Sequence, residues 1–293
     1  MAEIASDWKT YTCIDAGDGE KLERWGDILL RRPDPQAIWP KDPHEKRWNQ
    51  VHAHYHRSIK GGGAWEFKKS LPKSWTIDYK QLRFKVSLTD FKHTGLFPEQ
   101  AANWDWLQDK IQNAKQPLRI LNLFAYTGAA SMACAAAGAE EVVHLDASKG
   151  MVTWAKENQH LSNLSDNTIR YIIDDALKFV QREQRRGRSY HGILLDPPSY
   201  GRGPNNELWK LEDSLYELLK ACHSILDQDA VFFLVNAYTT GISSNVLNNV
   251  LHVLFENQSA VIECGDLALP IERRNLILPC GIYGRVSLHE RTV

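Results

Sequence analysis

From Pro117 onward the chain keeps a regular beat of short apolar runs and longer helical ones. LRILNLF is followed by GAASMACAAAG, EVVHLD by SKGMVTWAKENQHLSNL, IRYII by DALKFVQREQRRG, HGILLD by ELWKLEDSLYELLKACHSIL, and AVFFLVNA by SNVLNNVLHVLFEN. Strands that alternate with helices over short loops predict a parallel, doubly wound sheet with helices on both faces. Two β-like runs close the chain, AVIECGDL and IYGRVSLHE, with no room for a helix between them. They predict an antiparallel hairpin at one edge of the sheet. In such a sheet ligands lie outside the carboxyl ends of the strands, where strand order reverses. The strand ends are therefore where function should be sought.

The first run ends in LNLFAYTGAAS, where Gly128 allows a close backbone approach and opens the next helix, and Asn122, Phe124, Tyr126 and Thr127 line the turn. A pyrophosphate would want G-x-G-x-x-G here, and the single glycine argues against a nicotinamide dehydrogenase. Eighteen residues on, the second run ends at Asp146, a place where an acid accepts from ribose hydroxyls. The third ends in Asp174-Asp175-Ala176, where one carboxylate suits an adenine amino group and the other the cap of the following helix. Taken singly, each acid reads equally well as a helix cap. Four successive strand ends with polar or acidic groups on one edge instead point to a ligand with ribose and adenine but no pyrophosphate, which is S-adenosylmethionine. The fourth run, HGILLDPPSYGRG, delivers Asp196 onto two prolines that cannot feed a helix and supply no backbone donors.

The front of the chain has a different texture. DILLRRP, WTIDY and LRFKVSLTD have strand composition and are separated by turn-rich breaks, with a loop expected at Gly61-Gly62-Gly63. From Pro98 to just before Pro117 the pattern is an amphipathic helix. Net charge is −1, yet Lys41 to Phe91 holds eleven Lys and Arg against five Asp and Glu, and six of the ten tryptophans (Trp8, Trp25, Trp39, Trp48, Trp65 and Trp75) precede residue 96. Basic residues among aromatics suit a nucleic-acid surface, while a small β-module with a tryptophan core is the plainer reading. His52, His54 and His56 alternate on one strand face; a polar or RNA-contacting edge is favoured over zinc, because no acid or cysteine is near them in sequence. Arg182 to Arg188 reads as a solvated helix end. Five scattered cysteines without a C-x-x-C pair suit a reducing cytoplasm, and neither a signal peptide nor a membrane-length apolar run is visible.

LNLFAYTGAAS, VVHLDAS, YIIDDALKF and ILLDPPSY resemble the successive motifs of the bacterial 23S rRNA large-subunit methyltransferase family, whose members make 5-methylcytosine or 7-methylguanine. The likeness runs from about Thr94 to Val293 and includes HTGLFPEQ with its Glu99-Gln100 pair. It implies a Rossmann-like class I methyltransferase sheet over residues 96–293, preceded by a small β-rich, basic and Trp-rich substrate-binding module over residues 1–95. It implies S-adenosyl-L-methionine as cofactor. Phe97, Pro98, Gln100, Asn122, Phe124, Tyr126, Thr127 and Gly128 would stand near its methionine end, Asp146 and Ala147 at ribose, and Asp175 and Ala176 at adenine. Asp196 would stand beside the sulfonium, and Asp196, Pro197, Pro198 and Tyr200 would form the catalytic ledge, with Asn236 and Tyr238 shaping the target pocket.

The sequence departs from that family in two places. Methylation of carbon 5 of cytosine needs a thiolate nucleophile. DPPSY and LVNAYTT contain no cysteine, and only Cys264 and Cys280 lie toward the terminal hairpin, where a small buried hydrophobe is the ordinary reading. Members acting on rRNA also carry an RNA-binding domain ahead of the β-ribbons, so the basic module is expected to capture substrate itself. DPPSY further resembles the Asp-Pro-Pro-aromatic loop of enzymes that methylate exocyclic amines, except that Ser199 delays the aromatic by one residue. The expectation is a cytoplasmic RNA methyltransferase without metal, acting on a flipped or single-stranded base. A protein or small-molecule methyltransferase and a non-catalytic RNA-binding protein are the alternatives, and the methylated atom and oligomeric state stay open.

Overall fold

The computed structural model describes residues 2–58, 62–90, 92–202, 208–238 and 241–288. They divide into two compact units, one of residues 2–102 with 267–280 and one of residues 103–266 with 281 onward. The division thus falls after Ala102 and draws in a late segment, whereas the sequence suggested a break at residue 95.

The first unit holds strands β1 (Ala2–Ile4), β2 (Tyr11–Gly17), β3 (Glu20–Trp25), β4 (Ile28–Pro33), β5 (Ala53–Arg57), β6 (Gly63–Phe67), β7 (Trp75–Tyr79) and β8 (Leu82–Val86). Strands β2 to β6 form one sheet in chain order and β7 pairs with β8. Asp18 and Gly19 join β2 to β3 with φ of 50° and 76°, as a two-residue hairpin turn of the I′ kind demands, and this is why Asp-Gly stands there. Gly63 opens β6 and so belongs to a strand instead of the expected glycine loop, and Gly61 lies outside the described residues.

The tryptophans of this unit are scaffold. Trp25 is fully buried, and Trp48 packs with Ile14, Leu22 and Val51. The indole N–H groups of Trp8, Trp39, Trp65 and Trp75 donate to the carbonyls of Pro98, Ala16, Thr89 and Trp25, and that of Trp48 to Asp15. Beside them lies a buried charge network. Arg32 donates twice to Glu23 at 2.6 and 2.7 Å, and the Tyr11 hydroxyl donates to the same carboxylate at 2.8 Å.

The second unit contains α1 (Ala101–Gln112), which begins within the first, then β9 (Arg119–Leu123), α2 (Ala129–Ala136), β10 (Glu141–Asp146), α3 (Lys149–Leu161), β11 (Ile169–Ile173), α4 (Ala176–Arg185) and β12 (Gly192–Leu195). It continues with β13 (Tyr200–Arg202), β14 (Leu208–Lys210), α5 (Leu211–His223), β15 (Phe232–Ala237) and α6 (Ser244–Leu254), then with β16 (Ala260–Pro270) and β17 (Ile277–Leu288), whose residues 267–270 and 277–280 fall in the first unit. The eight-stranded sheet runs β1-β16-β17-β15-β12-β9-β10-β11, with β9, β10, β11, β12 and β15 parallel and β17 antiparallel to β15. This is the expected doubly wound sheet with its closing hairpin. All four residues of β12 are buried, as a central strand covered on both faces requires. Gly192 is needed there, since a Cβ would lie 2.3 Å from the Phe232 ring. One expectation fails locally: Leu208 to Lys210 pairs with Tyr200 to Arg202 as a short ribbon, so the helix begins at Leu211 instead of at the preceding residues.

Candidate active site

Strand order reverses between β9 and β12, so the ends of these strands and of β10 and β11 form the functional edge. The chain leaves β9 through a turn in which Phe124, Tyr126 and Gly128 all have positive φ, at 56°, 51° and 86°. Two non-glycine residues in the left-handed region within one turn cost of order 1–3 kcal/mol each and persist only where the surroundings fix them. Those surroundings are identifiable. Ala125 N–H donates to Leu145 O at 3.0 Å and Gly128 N–H to Ala125 O at 2.9 Å. Tyr126 N–H donates to the Asp146 carboxylate at 2.9 Å, and Asn158 donates to Thr127 O at 2.8 Å. At Gly128 a Cβ would meet Ala155, Met132 and His144 at 3.0–3.3 Å, so helix packing as well as φ selects glycine.

Asp146, at the end of β10, holds Tyr126 N–H with one carboxylate oxygen and Ser148 N–H, at 2.8 Å, with the other. Burial pushes its carboxyl above the usual aspartate range, against those two hydrogen bonds. Each oxygen keeps a lone pair beyond its backbone donor, which fits a pair of ribose hydroxyls. Asp146 is in register with Ile173 at the end of β11, a large apolar side chain that is 51% exposed. A hydrogen-bond acceptor for hydroxyls beside open apolar surface is what a nucleoside needs, so the residues present fit the adenosine part of S-adenosylmethionine.

Other expected residues take supporting positions. Asn122 is buried and donates to Ser131 Oγ at 2.9 Å, and Ser131 Oγ lies 3.0 Å from His144 Nδ1, a chain beneath the turn. Burial lowers the His144 pKa to about 3, so this imidazole is neutral. Asp175 caps α4 by accepting from Lys178 N–H at 2.9 Å, and Asp174 pairs with Arg182, so both acids at this strand end already serve α4. Ala176 is buried, and Ala147 follows Asp146. Phe97, Pro98 and Gln100 belong to the first unit, with Pro98 and Gln100 buried there.

The ledge after β12 is braced from two sides. Trp209 Nε1–H donates to Pro198 O at 2.7 Å, and Ser199 Oγ–H donates to Tyr238 O at 2.9 Å. Leu211 N–H donates to Ser199 O at 3.1 Å, tying the ledge to the start of α5. Pro197 is buried, Asp196 is half-buried, Pro198 is exposed, and Tyr200 is 59% exposed on β13. The Phe124 and Trp209 rings stand 6.2 Å apart, giving the edge an aromatic wall. Asn236 is buried and accepts from Asn103 at 2.8 Å, so it holds α1 to β15. The thiols read as inert: burial pushes Cys264 up to about 11 and raises Cys280 well above its ordinary value, and the Cys280 thiol donates to Leu278 O.

Sequence reasoning missed Ile173 and Trp209. Ile173 looked like strand interior, and Trp209 like part of a helix. The signal for Trp209 was its place eleven residues past the second proline, and nothing local marked Ile173.

Comparison with known proteins adds the family. Residues 46–226 match the family described as S-adenosylmethionine-dependent methyltransferase. Ribosomal RNA large subunit methyltransferase K/L of Hahella chejuensis is 36% identical over 156 residues, 53% of this chain and 20% of that protein. The chain therefore spans about a fifth of that relative's length. Ribosomal RNA large subunit methyltransferase K of Neisseria meningitidis serogroup B is 23% identical over 267 residues, covering 88% of this chain and 72% of that one. A solved SAM-dependent methyltransferase from Agrobacterium tumefaciens superimposes with a TM-score of 0.93 at 37% identity, over 98% of this chain and 93% of that chain. With its doubly wound sheet, its strand-end acids and these matches, the chain belongs to the S-adenosylmethionine-dependent methyltransferases.

Proposed function

We propose that this methyltransferase acts on a base in RNA, in the cytoplasm. The observation that carries the reading is the braced ledge: Asp196, Pro197 and Pro198 at the end of β12, walled by Phe124 and Trp209, with Tyr200 exposed beside it. A rigid acidic shelf next to aromatic rings suits a flat, polar, unsaturated acceptor. A nucleobase has that shape once it is out of its stack. The relatives named as ribosomal RNA methyltransferases support RNA, as does the basic excess between Lys41 and Phe91, where Lys46, Arg57, Lys69 and Lys73 are exposed. All five cysteines are free, in keeping with a reducing compartment, and among the described residues no helix is long and apolar enough to cross a membrane.

In this reading Asp146, with Ala147 behind it, holds the ribose, and Ile173, with Asp175 and Ala176, borders the adenine. The strained turn from Phe124 to Gly128 lies against the remainder of the cofactor. Bound there, the cofactor supplies an electrophilic methyl that needs only an aligned nucleophile about 3 Å away. Pro197 and Pro198 fix the height of the shelf, Trp209 locks the Pro198 carbonyl in place, and Asp196 accepts a hydrogen bond from the edge of the acceptor.

The test is mass spectrometry of nucleosides from ribosomal RNA of cells with and without the protein, with purified protein and labelled cofactor added back. One methylated nucleoside should disappear and be restored. If it is restored, RNA affinity should fall steeply with salt, as phosphate contacts require. No methyl transfer to any RNA from the deficient cells would sink the proposal.

A further inference from the structure

The sequence offered three alternating histidines and no acid to complete a metal set; the fold supplies the acid. On the β5–β6 ribbon, His54 stands directly opposite Glu66, and His56 lies two residues along on the same face. One ring nitrogen from each histidine and one carboxylate oxygen of Glu66 all lie within 4.8 Å of one another. The geometry points to a divalent transition-metal site of the zinc class on this ribbon, with His54, His56 and Glu66 as protein ligands.

The arrangement is already close to what zinc requires. Ligands about 2.0–2.2 Å from a tetrahedral zinc stand roughly 3.3 Å from one another. His56 Nε2 and Glu66 Oε2 are 2.9 Å apart, and the two imidazole centroids are 3.8 Å apart. Lys68 contacts the other Glu66 oxygen, so Oε2 is the one turned to His56. His56 and Glu66 are half exposed, so small side-chain rotations close the remaining distance, and water can reach a fourth position. His54 is the fixed member: Glu20 Oε1 lies 2.8 Å from its Nε2, and Glu20 is itself gripped by Arg31 and Lys41. A carboxylate holding a histidine in this way is the usual support of a metal ligand. His52 is excluded, because its Nδ1 accepts the Leu29 N–H at 3.0 Å. Two imidazoles and one carboxylate select zinc, cobalt or nickel over the all-oxygen preference of magnesium and calcium. The ion would clamp β5 to β6 in the basic, tryptophan-built unit.

The experiment uses the full chain, stripped with chelator and dialysed, titrated with zinc chloride by calorimetry at pH 7.5, with cobalt(II) absorption as a second readout. One saturable site is expected, with a dissociation constant of about 10 μM or tighter. His56→Ala and Glu66→Gln should each weaken it at least about 10-fold, and Glu20→Gln about 10-fold through His54. His252→Ala, on the exposed side of α6, should leave it unchanged. Melting temperature should rise with zinc for the parent chain and not for His56→Ala, a comparison that also shows whether the variant is folded. Magnesium should not compete. Absence of saturable zinc binding, or binding unchanged in folded His56→Ala and Glu66→Gln, would overturn the assignment.

Discussion

Glu23 on β3 and Asp146 at the end of β10 are both carboxylates on strands, and they show two opposite uses of polarity in one chain. Glu23 is fully buried in the first unit, where Arg32, Tyr11 and Lys21 saturate it. Burial works against its charge, yet Arg32 and Lys21 outweigh burial and hold its pKa at about 2. Asp146 sits at the edge of an apolar parallel sheet, and burial moves its pKa the other way, upward. Interior charge in the first unit is consumed by its own neighbours and serves structure. At the end of β10, Asp146 keeps acceptor capacity beyond its two backbone donors, and we propose that this capacity serves a ligand.

The largest effect that would break this contrast lies in the Glu23 network. Arg32→Ala leaves a buried carboxylate uncompensated and should cost about 3–5 kcal/mol of stability in chemical denaturation. A loss under about 1 kcal/mol would mean that water reaches Glu23. Next comes the apolar sheet. Gly192→Ala drives a methyl into the Phe232 ring and should cost about 1–3 kcal/mol, measured in the same way.

The pH dependence follows from the two ion-paired carboxylates of β3. Glu20 and Glu23 both have native pKa values of about 2 against an ordinary 4.5. Their stabilisation is therefore complete above about pH 4.5 and is lost as pH falls toward 2. Denaturation midpoints of the parent chain should decline through that window, and a Glu23→Gln variant should decline less. The smallest expected effect is at the ledge. Ser199→Ala removes one hydrogen bond to Tyr238 O and should cost about 1 kcal/mol, with a larger effect on turnover than on cofactor affinity.

The same contrast explains what was legible in the sequence. The doubly wound parallel sheet, its closing hairpin and the strand-end edge where such sheets bind ligands followed from alternation, whereas the order of the strands was read only from the fold. Gly128 and Asp146 were visible for a related reason: a backbone turn and a strand-end acid sit at fixed offsets from strands. Asn122 and Asp175 were placed at the right edge, but hydrogen bonding gave them to Ser131 and Lys178. No local pattern reports which partner a buried amide or a capping acid will take.

The first unit was harder to read. Its tryptophans read either as the core of a small β-module, the plainer reading, or as a surface for bases, and five indole N–H groups satisfied inside the unit favour the first. Its histidines found an acid only through β5–β6 register. Pairing between strands is long-range information, and it is what the sequence hid.

The central claim is that the Asp146 edge holds S-adenosylmethionine. Calorimetric titration of S-adenosylhomocysteine into the full chain measures this directly. One site per chain is expected for the parent, and Asp146→Ala should weaken it about 10- to 100-fold, the worth of charge-assisted hydrogen bonds to two hydroxyls. Asp146→Asn, which keeps one acceptor, should fall between. Equal affinity in the parent and in a folded Asp146→Ala variant would contradict the account.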